Sequence, residues 1–219
     1  MNEVRLRLAA SAASKERRLS AVLGGRPPGA ALDQAVRAAQ AEGSLSLAGL
    51  PPGDVAPLLR AIAAVPPTAP LTAGALETWH RASTGARGFR TTEAERAGTA
   101  PPAPPEFIAS RLAIFEQWMN APSAAELTAS QQGALALARV VEVRPFDDGN
   151  GRVSRMAASH VMVKAGARPP ILTAADAPRL MQALQAAFQL HTEPLAALLE
   201  EGAERALDLM IREAERPTA

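Results

Sequence analysis

The sequence predicts a mostly α-helical fold, and three observations carry that prediction. Apolar residues make up 47% of the 219-residue chain but aromatic residues only 3%, so the core must be assembled largely from Ala, Leu and Val. Such small aliphatic side chains suit closely packed helices better than sheets. Long stretches place these residues at helical spacing. The interruptions are compact clusters, Gly24-Gly25-Arg26-Pro27-Pro28-Gly29 and Pro51-Pro52-Gly53, of the kind that end helices.

Arg5 to about Leu23 is rich in Ala, Leu and Arg without a breaker and reads as the first helix. Ala30 to about Gly43 sets Leu32, Val36 and Ala39 at helical spacing, Asp54 to Val65 follows the proline turn, and Leu71 to Ser83 repeats the pattern. From Gly85 to Pro105 the periodicity fails, and Gly88-Phe89-Arg90-Thr91-Thr92 is the one place with strand character. A loop or short β-hairpin is expected there. Glu106 to Asn120 resumes as helix, with Phe107, Ile108, Leu112, Phe115, Trp118 and Met119 on one side. Thr128 to Val143 contains Ala134-Leu135-Ala136-Leu137-Ala138 and should be central and buried. Arg152 to Lys164, Ala175 to Leu190 and Pro194 to Arg212 complete the helices. Trp79, Phe115, Trp118 and Phe188 are read as core.

Composition also excludes chemistry. Without cysteine the chain has no disulfide or thiolate metal site, and His80, His160 and His191 lack metal-ligand spacing, so no structural metal is expected. They read as structural or surface residues. No apolar run approaches the ~20 residues of a membrane span, and the first residues lack a signal-peptide pattern, which implies a cytoplasmic protein with no membrane partner. Net charge is +1, with acids interspersed among the arginines, so there is no basic stripe or aromatic platform for nucleic acid.

The residues that carry chemistry lie between two helical patterns, at Asp148-Gly149-Asn150-Gly151-Arg152. Glycines flanking an asparagine permit positive φ, so successive backbone N–H groups can converge on one anion at the positive end of the following helix. Arg152 lies in that helix's first turn, and Arg155 follows on the same face. Asp148 is placed to hold Mg²⁺ against the same phosphates. Phe146 supplies an apolar anchor for an otherwise polar loop.

This stretch resembles the Fic family signature H-x-F-x-[D/E]-G-N-G-R-x-x-R, matched from Phe146 to Arg155 at every defined position except the first. Leu76-Glu77-Thr78-Trp79-His80-Arg81 and Gly88-Phe89-Arg90-Thr91 look like the helix and target-docking flap that precede that family's core. Ile108 to Asn120, Pro169-Pro170-Ile171-Leu172 and Glu193-Pro194-Leu195 also fall where similar segments do, extending the likeness over about Ser20 to Leu209. The resemblance implies a Fic-type helical bundle with a short β-hairpin flap. N-terminal helices would occupy 1–70 and the Fic core 71–213, with the flap near 86–100 and the phosphate-binding loop at 144–155.

It also implies transfer of AMP from ATP to a hydroxyl of a target protein. Gly149, Asn150 and Gly151 would cradle the phosphates, Arg152 would contact them, Arg155 would reach the γ-phosphate and Asp148 would bind Mg²⁺. The flap, Gly88, Phe89, Arg90, Thr91 and Thr92 onward, would hold the target segment by strand-like pairing. A homodimer or a small antitoxin-like partner is a further possible associate.

Two departures stand out. Arg144 occupies the position of the family's general-base histidine, and arginine stays protonated at any accessible pH. General-base assistance is worth roughly 10²–10⁴-fold, so transfer to ordinary hydroxyls should be slow or absent. The nucleotide cradle does not need that base. An acceptor already ionised, such as a carboxylate or phosphate, would not need it either. A non-catalytic interaction module on the same fold, or an Arg144 that is an engineered or toxicity-relieving change, are the alternatives. The second departure is at Ser44-Leu45-Ser46-Leu47-Ala48-Gly49, which resembles the family's inhibitory [S/T]-x-x-x-E-[G/N] helix. Ser44 and Gly49 fit, but Ala48 replaces the glutamate, so Arg155 is expected to lack a built-in partner.

Overall fold

The computed structural model describes residues 3–51, 53–94 and 101–216, with side chains described from Arg7 onward. Among the described residues its regular elements are helices: α1 (Glu3–Val22), α2 (Ala30–Leu47), α3 (Ala56–Ala64), α4 (Ala73–Thr84), α5 (Ile108–Met119), α6 (Ala129–Val143), α7 (Asn150–Lys164), α8 (Ala177–Phe188) and α9 (Glu193–Ala214). Short 3₁₀ turns precede α5, α6 and α8.

The α6–α7 hairpin is the centre of the fold. It can be so because α6 is built of small residues. At Gly133 an added Cβ would lie 2.8 Å from the Met162 side chain of α7, so any larger residue would have to push that methionine aside. One apolar cluster, with Trp79, Ile108, Leu112, Val140 and Phe146, fills the side toward α4 and α5. A second, with Leu137, Met162, Leu180 and Leu199, fills the side toward α8 and α9. Start signals act as local chemistry requires: the Thr128 hydroxyl accepts from the Gln131 amide and the Gln131 side chain returns to the Thr128 amide, a capping box that fixes where α6 begins.

Three expectations need correction. The helix expected to stop at Gly43 continues to Leu47, because Gly43 is there for close approach rather than as a breaker. A Cβ on it would lie 1.9 Å from the Leu172 carbonyl oxygen. Trp118, read as core, is 40% exposed. No strand occurs among the described residues, so the hairpin expected near 86–100 is not found there; residues 95–100, and with them Glu95 of the flap reading, lie outside those described. The physical reason at Gly88–Thr92 is that, among the described residues, its backbone makes a single backbone bond to the core, from the Arg90 amide to the Pro145 carbonyl (2.9 Å). Its remaining anchorage comes from two side chains, Phe89 against Phe146 and the buried guanidinium of Arg90.

Candidate nucleotide-binding site

At the end of α6 the Arg144 amide still donates to the Val140 carbonyl (3.0 Å). Its own backbone then turns into the left-handed region at φ 47° and ends the helix. A non-glycine residue there costs on the order of 1–2 kcal/mol, and histidine, asparagine and aspartate tolerate the region best.

Two residues on, Phe146 is fully buried. Its ring stacks on His80 (centroids 3.9 Å, planes 6° apart) and tilts against Phe89 at 5.7 Å. Asn150 then closes the loop on itself: its Oδ1 accepts from the Phe146 amide (3.0 Å) and its Nδ2 donates to the Phe146 carbonyl (2.7 Å). The Asn150 side chain therefore staples the loop, leaving its backbone amide for a ligand.

Gly149 caps α7 at φ 78°. A Cβ there would lie 3.0 Å from Thr84 Cγ2 and 3.4 Å from the His80 ring, so glycine is required by conformation and by space. The first intrahelical donor of α7 is Val153, to Gly149 O (3.0 Å). The amides of Asn150, Gly151 and Arg152 precede it and have no partner in the helix. A Cβ on Gly151 would approach Arg155 Nη1 at 3.2 Å. The result is a concave turn with successive amides and the positive pole of a 15-residue helix.

Arg152 and Asp148 face each other across this turn, Nη2 to Oδ2 at 2.9 Å, with side-chain exposures of 12% and 88%. Among the described residues no group of three or more His, Asp or Glu side chains is arranged to hold a metal. A single exposed carboxylate nonetheless fits Mg²⁺, which takes one or two carboxylates together with substrate phosphates. The loop opens on a cleft of about 420 Å³ whose other wall includes Leu137, Val141, Leu180 and Leu184.

Arg155 differs from the expectation. It has a built-in partner, for Nε donates to Ser44 Oγ (3.0 Å) and Nη2 to the Ser44 carbonyl (2.9 Å). The close packing of Gly43 delivers Ser44 to this point. Burial, aided by the neighbouring Arg152 charge, lowers the Arg155 pKa to about 10, so it remains a cation at neutral pH. Ala48 caps the end of α2 and lines the cleft, and Gly49 follows at φ 67°.

His80 is the structural hydrogen-bonder the sequence suggested: Nε2 donates to the Asp148 carbonyl (3.0 Å), and Nδ1 is buried without a partner. Burial is the main cause of its lowered pKa, with Arg152 adding to it. Sequence reasoning missed the role of Arg90. Read as part of a docking flap, it is 3% exposed. Its guanidinium donates to the carbonyls of Arg144 (2.6 Å), Thr92 (2.8 Å), Val143 (3.4 Å) and Ala103. It locks the segment and the C-terminus of α6 together. Thr91 and Thr92 are exposed. Among the described residues no helix is long and apolar enough to cross a membrane.

Comparison with known proteins places this loop within a family match. The Fic/DOC family model matches residues 70–162. Proteins named protein adenylyltransferase Fic from Culex quinquefasciatus and Drosophila grimshawi are each 30% identical over 123 residues, 56% of this chain but only 24% and 25% of theirs. The chain thus spans about a quarter of the length of these curated relatives. A Fic-domain signaling protein from Bacteroides thetaiotaomicron superposes with a TM-score of 0.74 at 16% identity, covering 95% of this chain and 99% of the other. Fic-1 of C. elegans superposes at 0.72 with 18% identity, covering 93% and 71%. A further match, with a TM-score of 0.56 and 16% identity over 88% and 70%, is to IbpAFic2 captured covalently tethered to Cdc42.

Proposed function

We propose that this chain, whose residues 70–162 match the Fic/DOC family model, is a Fic-family protein that binds ATP with Mg²⁺ at the Arg144–Arg155 loop, as a relative of protein adenylyltransferases whose transfer step is impaired or altered. The observation that carries this reading is the turn at the head of α7. It combines a left-handed Gly149, three amides without intrahelical partners, and an Arg152–Asp148 pair at 2.9 Å. These groups suit a polyphosphate: the amides and helix pole take oxygens, and Arg152 forks onto them. Mg²⁺, held by Asp148, would neutralise phosphate charge.

Arg144 governs the transfer step. It stays charged, so it holds no lone pair to accept a proton from a hydroxyl. It lines the same cleft as Arg152 and Arg155, where its charge favours an anionic acceptor that has no proton to lose. Gly88–Thr92 remains our proposed contact for a target protein, through Thr91 and Thr92. Phe89 and Arg90 serve the core instead. The alternative is a non-catalytic interaction module. The engagement of Arg155 by Ser44 favours it, since a triphosphate reaching that arginine must displace the serine.

The test is Arg144→His incubated with labelled ATP and lysate or acidic model acceptors. Histidine suits the left-handed backbone at this position, so the variant should fold and gain labelling of hydroxyl acceptors by about 10²-fold or more. A folded variant as silent as the parent would support the interaction module.

A further inference from the structure

A second cavity, of about 320 Å³, lies behind the loop, between α2, α3, α4 and α7. It falls at the lower end of small-molecule sites, roughly 300–1,000 Å³, and holds the liquid volume of about ten waters. Leu58, Ile62, Trp79 and Val163 give it walls that offer water few hydrogen bonds. Its polar groups form a belt: Gln40 Nε2 bridges from α2 to Ser159 Oγ of α7 (3.0 Å) and to the Pro170 carbonyl (3.2 Å).

Its charged lining is mostly cationic, Arg37, Arg155 and Arg168 against the single carboxylate of Asp33. Arg168 is held by Glu16 through two bonds of 2.8 and 2.9 Å. Arg37 is exposed and makes no ion pair among the described residues. A chamber with an apolar wall on one part of its lining and, on another, an Arg37 guanidinium without an ion pair among the described residues has the two chemical halves of an amphiphile site.

We propose that this cavity is a second ligand site, separate from the nucleotide cleft, for a small amphiphilic carboxylate. The tail lies against Trp79, Leu58 and Val163 and the head turns toward Arg37. Ser44 and Arg155 line the cavity, and Arg155 also lines the nucleotide cleft. One guanidinium is thus a wall common to both chambers, fixed by Ser44 at 3.0 and 2.9 Å. A ligand that shifts the Ser44–Arg155 contact alters phosphate binding, and linkage makes the effect reciprocal. This coupling, unlike the cavity itself, rests on the proposed binding of a nucleotide at the α7 turn.

Calorimetric titration of the full chain with octanoate, about ten heavy atoms and so matched to the volume, is the direct test. One-to-one binding is expected, weakened about tenfold or more in Arg37→Glu, which changes an exposed side chain, and in Val163→Phe, which fills the chamber. Saturating octanoate should change Mg·ATP affinity by about fivefold or more. Absence of saturable binding, or equal binding by parent and Arg37→Glu, overturns the site. Unchanged ATP affinity overturns the coupling. If octanoate binds with the expected variant pattern but Mg·ATP does not bind, the cavity assignment stands and the nucleotide reading falls.

Discussion

The loop at Arg144–Arg155 and the segment at Gly88–Thr92 share a backbone bond, Arg90 N to Pro145 O, the bond from Arg90 Nε to the Arg144 carbonyl and the contact of Phe89 with Phe146, yet they are held by different means. The loop is self-contained: Asn150 closes it onto Phe146 four residues away, Gly149 supplies the turn, and α7 supplies the amides. The Gly88–Thr92 segment has one local tie, from Arg90 Nη1 to the Thr92 carbonyl (2.8 Å). It depends otherwise on distant partners: Arg90 reaches backbone carbonyls as far as 54 residues along the chain, and Phe89 packs on Phe146. A short-range device specifies its own shape, whereas a long-range anchor shapes a segment only after the core has formed around it.

Removing the anchor should therefore give the largest effect. Arg90→Met strips charged donors from several buried carbonyls, at roughly 1–3 kcal/mol each, and should cost at least about 3 kcal/mol. Chemical denaturation will measure this, and hydrogen exchange should rise at 88–92 before it rises in α7. Equal loosening of both regions would break the contrast.

Gly149→Val comes next. It combines a β-branched residue at φ 78° with a Cβ 3.0 Å from Thr84 and should cost about 2–3 kcal/mol. It should also remove ATP binding while leaving exchange at 88–92 unchanged. Ser44→Ala, which removes one of the two acceptors of Arg155, should cost about 1–2 kcal/mol and should strengthen ATP binding if the serine competes with phosphate.

The smallest effect is one of pH. His80 is kept neutral, chiefly by burial, so its contribution to stability is complete above the ordinary histidine value of about 6.5. That contribution is lost as pH falls through the lowered folded value, because the unfolded chain binds the proton more readily. His160, also lowered mainly by burial, acts in the same direction. Denaturation at pH 7.5 and 5.5 should show a decline that His80→Gln makes shallower. Parallel declines in parent and variant would remove His80 from the account.

The same contrast explains what could be read from sequence. Nine expected helices correspond to α1–α9, because helical spacing and breakers are local signals. The turn at the head of α7 was legible for the same reason, since Phe146, Gly149 and Asn150 act within five residues of one another. What escaped notice is long-range. Nothing near Arg90 announces four carbonyl acceptors, and Gly43 looks like a helix end until the Leu172 carbonyl is packed against it. The Ser44–Arg155 contact arises from that packing across 111 residues. Ala48 was visible where the resemblance expects a glutamate, but the hold of Ser44 on Arg155 was not.

The central claim is that α7 presents a working polyphosphate cradle despite Arg144. Calorimetric titration with Mg·ATP tests it most directly, comparing the parent with Arg152→Ala. Saturable binding by the parent, weakened about ten- to a hundredfold in the variant, is the predicted result. A folded parent that takes up no ATP at millimolar concentration, or a variant that binds as tightly as the parent, would contradict it.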